Sequence, residues 1–260
     1  MSKIGIIGHG FVGRAIASAH DTDQLLINDP KMFDSIEIDV IKTETDWIYV
    51  AVPTPMNENG SIDTSILESV FSSLVGYTGL VISKSTALPD FYVRATAQYG
   101  IRLIHVPEFL TAANANADYM KPMLIVIGGN VEDCIYYKDT VIQADKTNTA
   151  ESKFVATDIG TASAMKYYAN SFLATKVIFN NQFARWCVDQ GVNWDNVANI
   201  AKLDSRLGHT HWSVPGPDGQ FGYGGYCFPK DVSAIISSDK NGNVTLLKHQ
   251  FEVNYNLHNG

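Results

Sequence analysis

The strongest chemical signal in the chain is Cys227, in the run Phe221-Gly222-Tyr223-Gly224-Gly225-Tyr226-Cys227-Phe228-Pro229-Lys230-Asp231. Pro229 suits the first position of a helix, which sets the sulfur just before a helix N-terminus, with Lys230 close in sequence. Both influences favour thiolate over thiol, and the glycines ahead of it leave room for a bulky ligand. A buried free cysteine is the commoner fate of a lone thiol. That reading accounts for Cys187, inside an apolar helical pattern, and for Cys134. It accounts poorly for Cys227.

Other reactive types recur at telling spacings. Lys166 and Asn170 stand four apart in a helical stretch and therefore share a face, where an ammonium and an amide can stabilise a developing oxyanion. A solvated lysine is the plain alternative, but asparagine is a poor mid-helix residue without a partner. Glu108 lies in the apolar setting Val106-Pro107-Glu108-Phe109-Leu110, which suits a carboxyl that activates water or, more simply, a surface loop acid. His209 and His211 have no third ligand nearby, so no metal site is expected.

A second signal opens the chain. Gly8-His9-Gly10-Phe11-Val12-Gly13 is a G-x-G-x-x-G between a strand-like run and a helical one. The first glycine permits the tight turn, the second lets a pyrophosphate approach the backbone, and the third lets helix and strand pack closely. Asp29 closes the next strand-like run, where a carboxylate accepts from an adenosine ribose and repels a 2′-phosphate. That favours NAD over NADP; a simple Asp29-Pro30 turn is the alternative.

These motifs need a scaffold. Lys3–Gly8, Leu25–Asn28, Trp47–Val52, Gly79–Ser83, Arg102–Val106 and Met123–Gly128 read as strands, alternating with helical segments at Phe11–His20, Thr64–Val75, Asp90–Tyr99 and Glu132–Ile142. The pattern predicts an α/β fold: a Rossmann-type parallel sheet with helices on both faces over residues 1–155. A helical domain over 156–260 follows, with one long helix from Thr161 to Gln190 capped by Gly191. A shorter helix spans Asn193–Leu203; others begin near Pro229 and cover Val244–Leu257.

The net charge of −8 over 260 residues argues against a nucleic-acid or membrane-surface partner. Three cysteines without zinc or disulfide spacing fit a reducing compartment, and with no signal-like start the expected location is cytoplasmic.

Taken together, the motifs closely resemble the UDP-glucose 6-dehydrogenase family, whose G-[FY]-G-G-x-C-[FL]-P-K-D block matches Gly222 to Asp231. The resemblance runs through Gly8 to Gly13, Val52-Pro53-Thr54-Pro55, Lys84-Ser85-Thr86, Pro107-Glu108-Phe109-Leu110 and Lys166-Tyr167-Tyr168-Ala169-Asn170. It implies two successive oxidations of the sugar C6 alcohol of UDP-glucose to the carboxylate of UDP-glucuronate, through a thiohemiacetal and a thioester on Cys227. The implied catalytic set is Cys227, Lys166, Asn170, Asp231, Glu108 and Thr86. Asp231 would position water or assist proton transfer, though an acid in the first turn of a helix is favourable anyway. Thr86 would hold a catalytic water, or else cap the helix preceding Pro89. NAD would lie against Gly8, Gly10, Phe11, Val12, Gly13, Asp29, Val52, Pro53, Thr54 and Lys230. The sugar nucleotide would meet Phe109, Leu110, Phe221, Gly222, Gly224 and Arg206, the last reaching across a homodimer built on the long helix, unless it is an ordinary loop arginine.

The pattern departs in three places. The chain stops at Gly260, where family members usually continue into a second nucleotide-covering domain. The stretch between Asp29 and Trp47 looks trimmed, and Ala112 stands where many relatives carry a second glutamate. Two alternatives therefore stay open: a β-hydroxyacid-type dehydrogenase, which would not need Cys227, and a non-catalytic NAD-binding or partner-binding remnant.

Overall fold

The computed structural model describes residues 3–110 and 114–259, so Ala112 lies outside the described residues. The chain divides into two compact units, residues 1–55 with 63–166, and residues 56–62 with 167–260.

The first unit is built on seven strands: β1 (Ile4–Ile7), β2 (Leu25–Asn28), β3 (Trp47–Val50), β4 (Leu80–Ser83), β5 (Arg102–His105), β6 (Leu124–Gly128) and β7 (Lys153–Thr157). They lie in the order β2-β1-β3-β4-β5-β6-β7. The first five run parallel. The expected Rossmann-type parallel sheet is present, with one reversal: β6 meets β5 antiparallel, through His105 and Gly128, and β7 then pairs parallel to β6. β7 was not legible in the sequence. Its residues Lys-Phe-Val-Ala-Thr are largely exposed, so it lacks the apolar run that marks a buried strand.

Helices α1 (Phe11–Ser18), α2 (Ile38–Glu44), α3 (Ser65–Ser73), α4 (Pro89–Tyr99), α5 (Ala115–Met120), α6 (Val131–Tyr136) and α7 (Ile142–Ala144) complete the first unit, with a π-helical turn over Tyr137–Val141. Two cores flank the sheet. One joins Ile41, Ile48, Phe71, Val81 and Tyr92; the other joins Ile6, Ile16, Tyr49, Ile82 and Tyr137. The stretch that looked trimmed holds α2, seven residues long. It packs flat because β1 carries a glycine: a Cβ on Gly5 would meet Ile41 at 2.5 Å and Ile48 at 2.8 Å.

Helix α8 (Ile159–Asp189) gives its first two turns to the first unit and the rest to the second. The second unit adds α9 (Trp194–Ala201), α10 (Cys227–Ser238) and α11 (Thr245–Asn259). Its core is small: Ala174, Ile178, Tyr223 and Val232 are buried together, with Phe228, Leu247 and Phe251 packed around them. α10 begins two residues before Pro229. Proline is tolerated there because the first-turn N–H groups of a helix have no carbonyl partner in any case. No described helix is long and apolar enough to cross a membrane.

Overpacking a tight core site costs about 1–3 kcal/mol. Gly5→Ala is therefore expected to lower unfolding stability by about that amount, measured by urea denaturation against the wild type.

Candidate active site

In the first unit the glycine turn follows β1. Gly8 has φ +92°, and a Cβ there would meet the carbonyl oxygen of Ala51 at 2.6 Å. A Cβ on Gly13 would meet the Gly8 oxygen at 2.0 Å, so α1 lies directly on the turn. Gly10 faces open space, with nothing within 4 Å of a built Cβ. Neither a side-chain cap nor a first-turn acid competes for the N-terminus of α1, where Phe11 and Val12 open the helix. Those are the requirements of a pyrophosphate cradle. Asp29 closes the far wall: its Oδ2 accepts from the His9 N–H at 2.6 Å and its Oδ1 from the Lys31 N–H at 2.9 Å. Although partial burial works against ionisation, these backbone N–H groups and nearby positive charge hold its carboxyl below the usual range. Val52 and Thr54 are buried and Pro53 is exposed, and the Thr54 hydroxyl donates to the Thr86 carbonyl at 2.7 Å. This cradle fits NAD, with open space where phosphate approaches and a carboxylate where ribose hydroxyls donate.

At the carboxyl ends of β4 and β5 the first unit gathers polar side chains. The Lys166 ammonium donates to Glu108 Oε1 at 3.0 Å and to the Glu108 carbonyl at 2.6 Å, and lies 5.7 Å from the Phe109 ring centre. Lys166 is 4% exposed, which excludes the solvated-lysine reading. Glu108 Oε2 accepts from the Leu110 N–H at 2.7 Å, so the carboxylate is ion-paired rather than isolated in an apolar pocket. Thr86 does not cap α4; the capping residue is Leu88.

The second unit holds the sulfur. Cys227 is exposed, as the first residue of α10, whereas Cys134 and Cys187 are buried. One turn on, Asp231 is 1% exposed. Its Oδ2 accepts from the Asn170 amide at 2.6 Å and its Oδ1 from the Lys230 ammonium at 2.6 Å. Asn170 thus has the partner its mid-helix position demanded, and Lys230, read from the sequence as a cofactor contact, is here tied to Asp231. Lys166 and Asn170 remain one turn apart on α8.

The loop before Cys227 is fixed by asparagines that sequence reading missed. Asn181 Oδ1 accepts from the Gly222 N–H at 3.0 Å. Asn254 brackets Tyr223, accepting from its N–H at 2.7 Å and donating to its carbonyl at 3.0 Å. Gly222 has φ +82°, and a Cβ there would meet Asn254 Oδ1 at 2.4 Å. The signal was available: asparagine inside a helix calls for a partner. A cavity of about 310 Å³ opens beside this run, lined by Gly224, Gly225, Pro229, Phe251 and Tyr255. Phe221 is 40% exposed, with the Arg185 guanidinium 5.6 Å from its ring centre. Arg206 is exposed and folds back onto Asp204, Nη2 to Oδ2 2.5 Å. His209 and His211 approach Lys202 O and Thr210 Oγ1, and no group of three metal-ligating side chains occurs among the described residues.

Comparison with known proteins agrees with both halves. Residues 26–144 match the UDP-glucose/GDP-mannose dehydrogenase family NAD binding domain, and residues 160–256 match the central domain of the same family. A UDP-glucose 6-dehydrogenase of Rickettsia bellii is 33% identical over 206 residues, covering 76% of this chain and 46% of the relative. The putative UDP-glucose 6-dehydrogenase YtcA of Bacillus subtilis is 28% identical, covering 97% of this chain and 67% of the relative. The chain thus spans about half to two thirds of the length of such relatives. Among solved structures, a UDP-glucose dehydrogenase from Pyrobaculum islandicum superposes with TM-score 0.80 at 24% identity, covering 98% of this chain and 68% of that one. A 3-hydroxyisobutyrate dehydrogenase of Mycobacterium tuberculosis shares the fold, at TM-score 0.73 and 14% identity over 98% of this chain and 93% of its own.

Gly10→Ala separates cofactor binding from folding. Its methyl group meets no protein atom yet projects where phosphate must approach, so the melting temperature is expected to hold. Calorimetry should show NAD binding weakened by about tenfold or more, roughly 1.4 kcal/mol.

Proposed function

Because the chain belongs to the UDP-glucose/GDP-mannose dehydrogenase family, we propose that it oxidises the C6 alcohol of UDP-glucose to the carboxylate of UDP-glucuronate, with Cys227 as the covalent nucleophile. The observation that carries the reading is the exposed sulfur at the first residue of α10, one turn from a buried aspartate held by two donors.

NAD, when bound, accepts a hydride at each of the two oxidations. The chain supplies the rest. Once the alcohol has become an aldehyde, the Cys227 thiolate adds to its carbon, and the carbonyl electron pair moves to oxygen. The second oxidation leaves a thioester; water adds, the C–S bond breaks, and acid and thiol are released. Two NAD and one water are consumed per carboxylate formed, with two NADH and three protons produced. In this scheme Lys166 and Asn170 face developing negative charge on oxygen. Asp231, fixed by Lys230 and Asn170, positions water or assists proton transfer near the sulfur. Glu108 takes the proton of the hydrolytic water, with Thr86 holding that water. Phe109, Leu110, Phe221, Gly222 and Gly224 would line the sugar nucleotide.

The reading extends to a homodimer. On α8, Tyr168, Phe172, Phe179, Phe183 and Trp186 are exposed at 36–64% and recur at three-, four- and seven-residue spacing, which forms one stripe. Tyr168 stacks on Phe172, and Phe179 on Phe183. An aromatic stripe of this kind fits a self-complementary interface, and Arg206 would then reach the partner's substrate.

The deciding assay mixes the protein, NAD and UDP-glucose and counts NADH per product. Two NADH per acid are expected, and Cys227→Ser should cut acid formation by about a thousandfold or more. A single NADH, insensitive to Cys227→Ser, would mark an ordinary alcohol dehydrogenase of the β-hydroxyacid kind. No turnover on any nucleotide sugar, with NAD still bound, would leave a binding protein. Light scattering should separately give a dimer mass for the wild type and a monomer mass for Phe179→Glu; a wild-type monomer would sink the interface.

A further inference from the structure

Lys84 belongs to none of the roles above, yet it is 7% exposed. Its backbone N–H donates to the Val50 carbonyl at 2.8 Å, which sets it just beyond β4, at the carboxyl end of the sheet. Parallel sheets of this class bind their ligands at that end. No hydrogen-bond acceptor for its ammonium occurs among the described residues; it lies instead 5.8 Å from the Tyr119 ring centre. The hydroxyl of that ring reaches a buried acid that the proposed chemistry does not use. Asp145 accepts from the Tyr119 hydroxyl at 3.1 Å and the Tyr49 hydroxyl at 3.4 Å, and His20 Nε2 stands 3.0 Å from it.

An ammonium in such a place is costly. Burial pulls Lys84 down to about 8, while the charges of Asp145 and Glu108 pull it back up. A core selected for stability alone would hold an apolar side chain here, since replacing buried charge with well-packed hydrocarbon is often stabilising. The cost is intelligible if the charge works on something. Ser83 and His105 are register partners at the ends of β4 and β5, so Lys84 and Glu108 leave the sheet from neighbouring strands, and Glu108 is one of the two acids whose charge acts on Lys84.

We infer that Lys84 is a positioning residue for the proposed oxidation: anchored by the Asp145 cluster, its ammonium joins that of Lys166 in setting the positive field in which Glu108 operates. This rests on the oxidation reading given above. The other titratable groups beside it are Tyr119 and His105. Burial pushes the Tyr119 phenol up and takes His105 down to about 3, so both keep one protonation state around neutral pH.

The test is the pH profile of kcat in the full chain with NAD and UDP-glucose. Wild-type kcat should fall along an alkaline limb near pH 8, as Lys84 loses its proton. Lys84→Arg keeps the charge and should abolish that limb. Lys84→Met should lose about tenfold to a thousandfold in kcat at pH 7, with NAD affinity retained. The sign of the stability effect separates function from scaffolding. Lys84 titrates near 8 when folded and 10.5 when free, so its charged form destabilises the fold below pH 8, and stability rises between those values. Lys84→Met is therefore expected to melt higher than wild type at pH 7, whereas a purely structural lysine would melt lower on removal. Wild-type kcat in Lys84→Met, a lower melting temperature for it, or an alkaline limb that persists in Lys84→Arg, overturns the inference while leaving the oxidation intact. No NADH from the wild type with any nucleotide sugar removes both.

Discussion

A charge withdrawn from water must be answered inside the protein, because an unanswered one costs several kcal/mol. The chain answers this demand repeatedly. Glu108 meets Lys166, Asp231 meets Lys230 and Asn170, Asp145 meets two tyrosine hydroxyls and His20, and Asp133, 2% exposed, meets Arg102 at 2.5 Å. Each pairing fixes more than two side chains. Lys166 ties α8 to Glu108 within the first unit, and Asn170 ties it to Asp231 on α10 within the second. Glu108 and Asp231, the two acids to which chemistry is ascribed, are both paired in this way, so the same hydrogen bonds that make burial tolerable also orient the groups.

The second constraint is steric and belongs to the backbone. Gly8 and Gly13 leave no room for a Cβ, while Gly10 leaves room that no protein atom fills. The first two bring α1 onto β1; the third leaves open space at the start of α1. In the second unit, Gly222 does similar work under Asn254, and the glycines around it leave a cavity on the approach to the helix that Cys227 opens. Glycine thus serves two distinct purposes in both halves, close packing and open access. The two are told apart by what a methyl group would touch.

Much of this was legible in advance because it is local. The strand, glycine turn, helix and acid of the cofactor half occur within about thirty residues, in the order in which they act. The long helix was visible as a span free of proline and glycine, and its observed bounds, Ile159–Asp189, differ from the sequence reading by two residues at the start and one at the end. Less local features were harder to read. β7 is an exposed strand whose existence depends on β6 being there to pair with. The reversal between β5 and β6 shows in a single bridging pair, His105 with Gly128, and no residue type advertises it.

Residue types and their local spacing supplied the inventory: a thiol, two lysines, an asparagine and two acids among glycines, on elements whose periodicities are local properties of the chain. Tertiary structure decided who pairs with whom. Lys166 finds Glu108 across 58 positions and Asn170 finds Asp231 across 61; Asp145 gathers partners from as far away as His20. Spacing along a chain says which residues share a helix face, but the partner of a buried charge is chosen by packing in three dimensions.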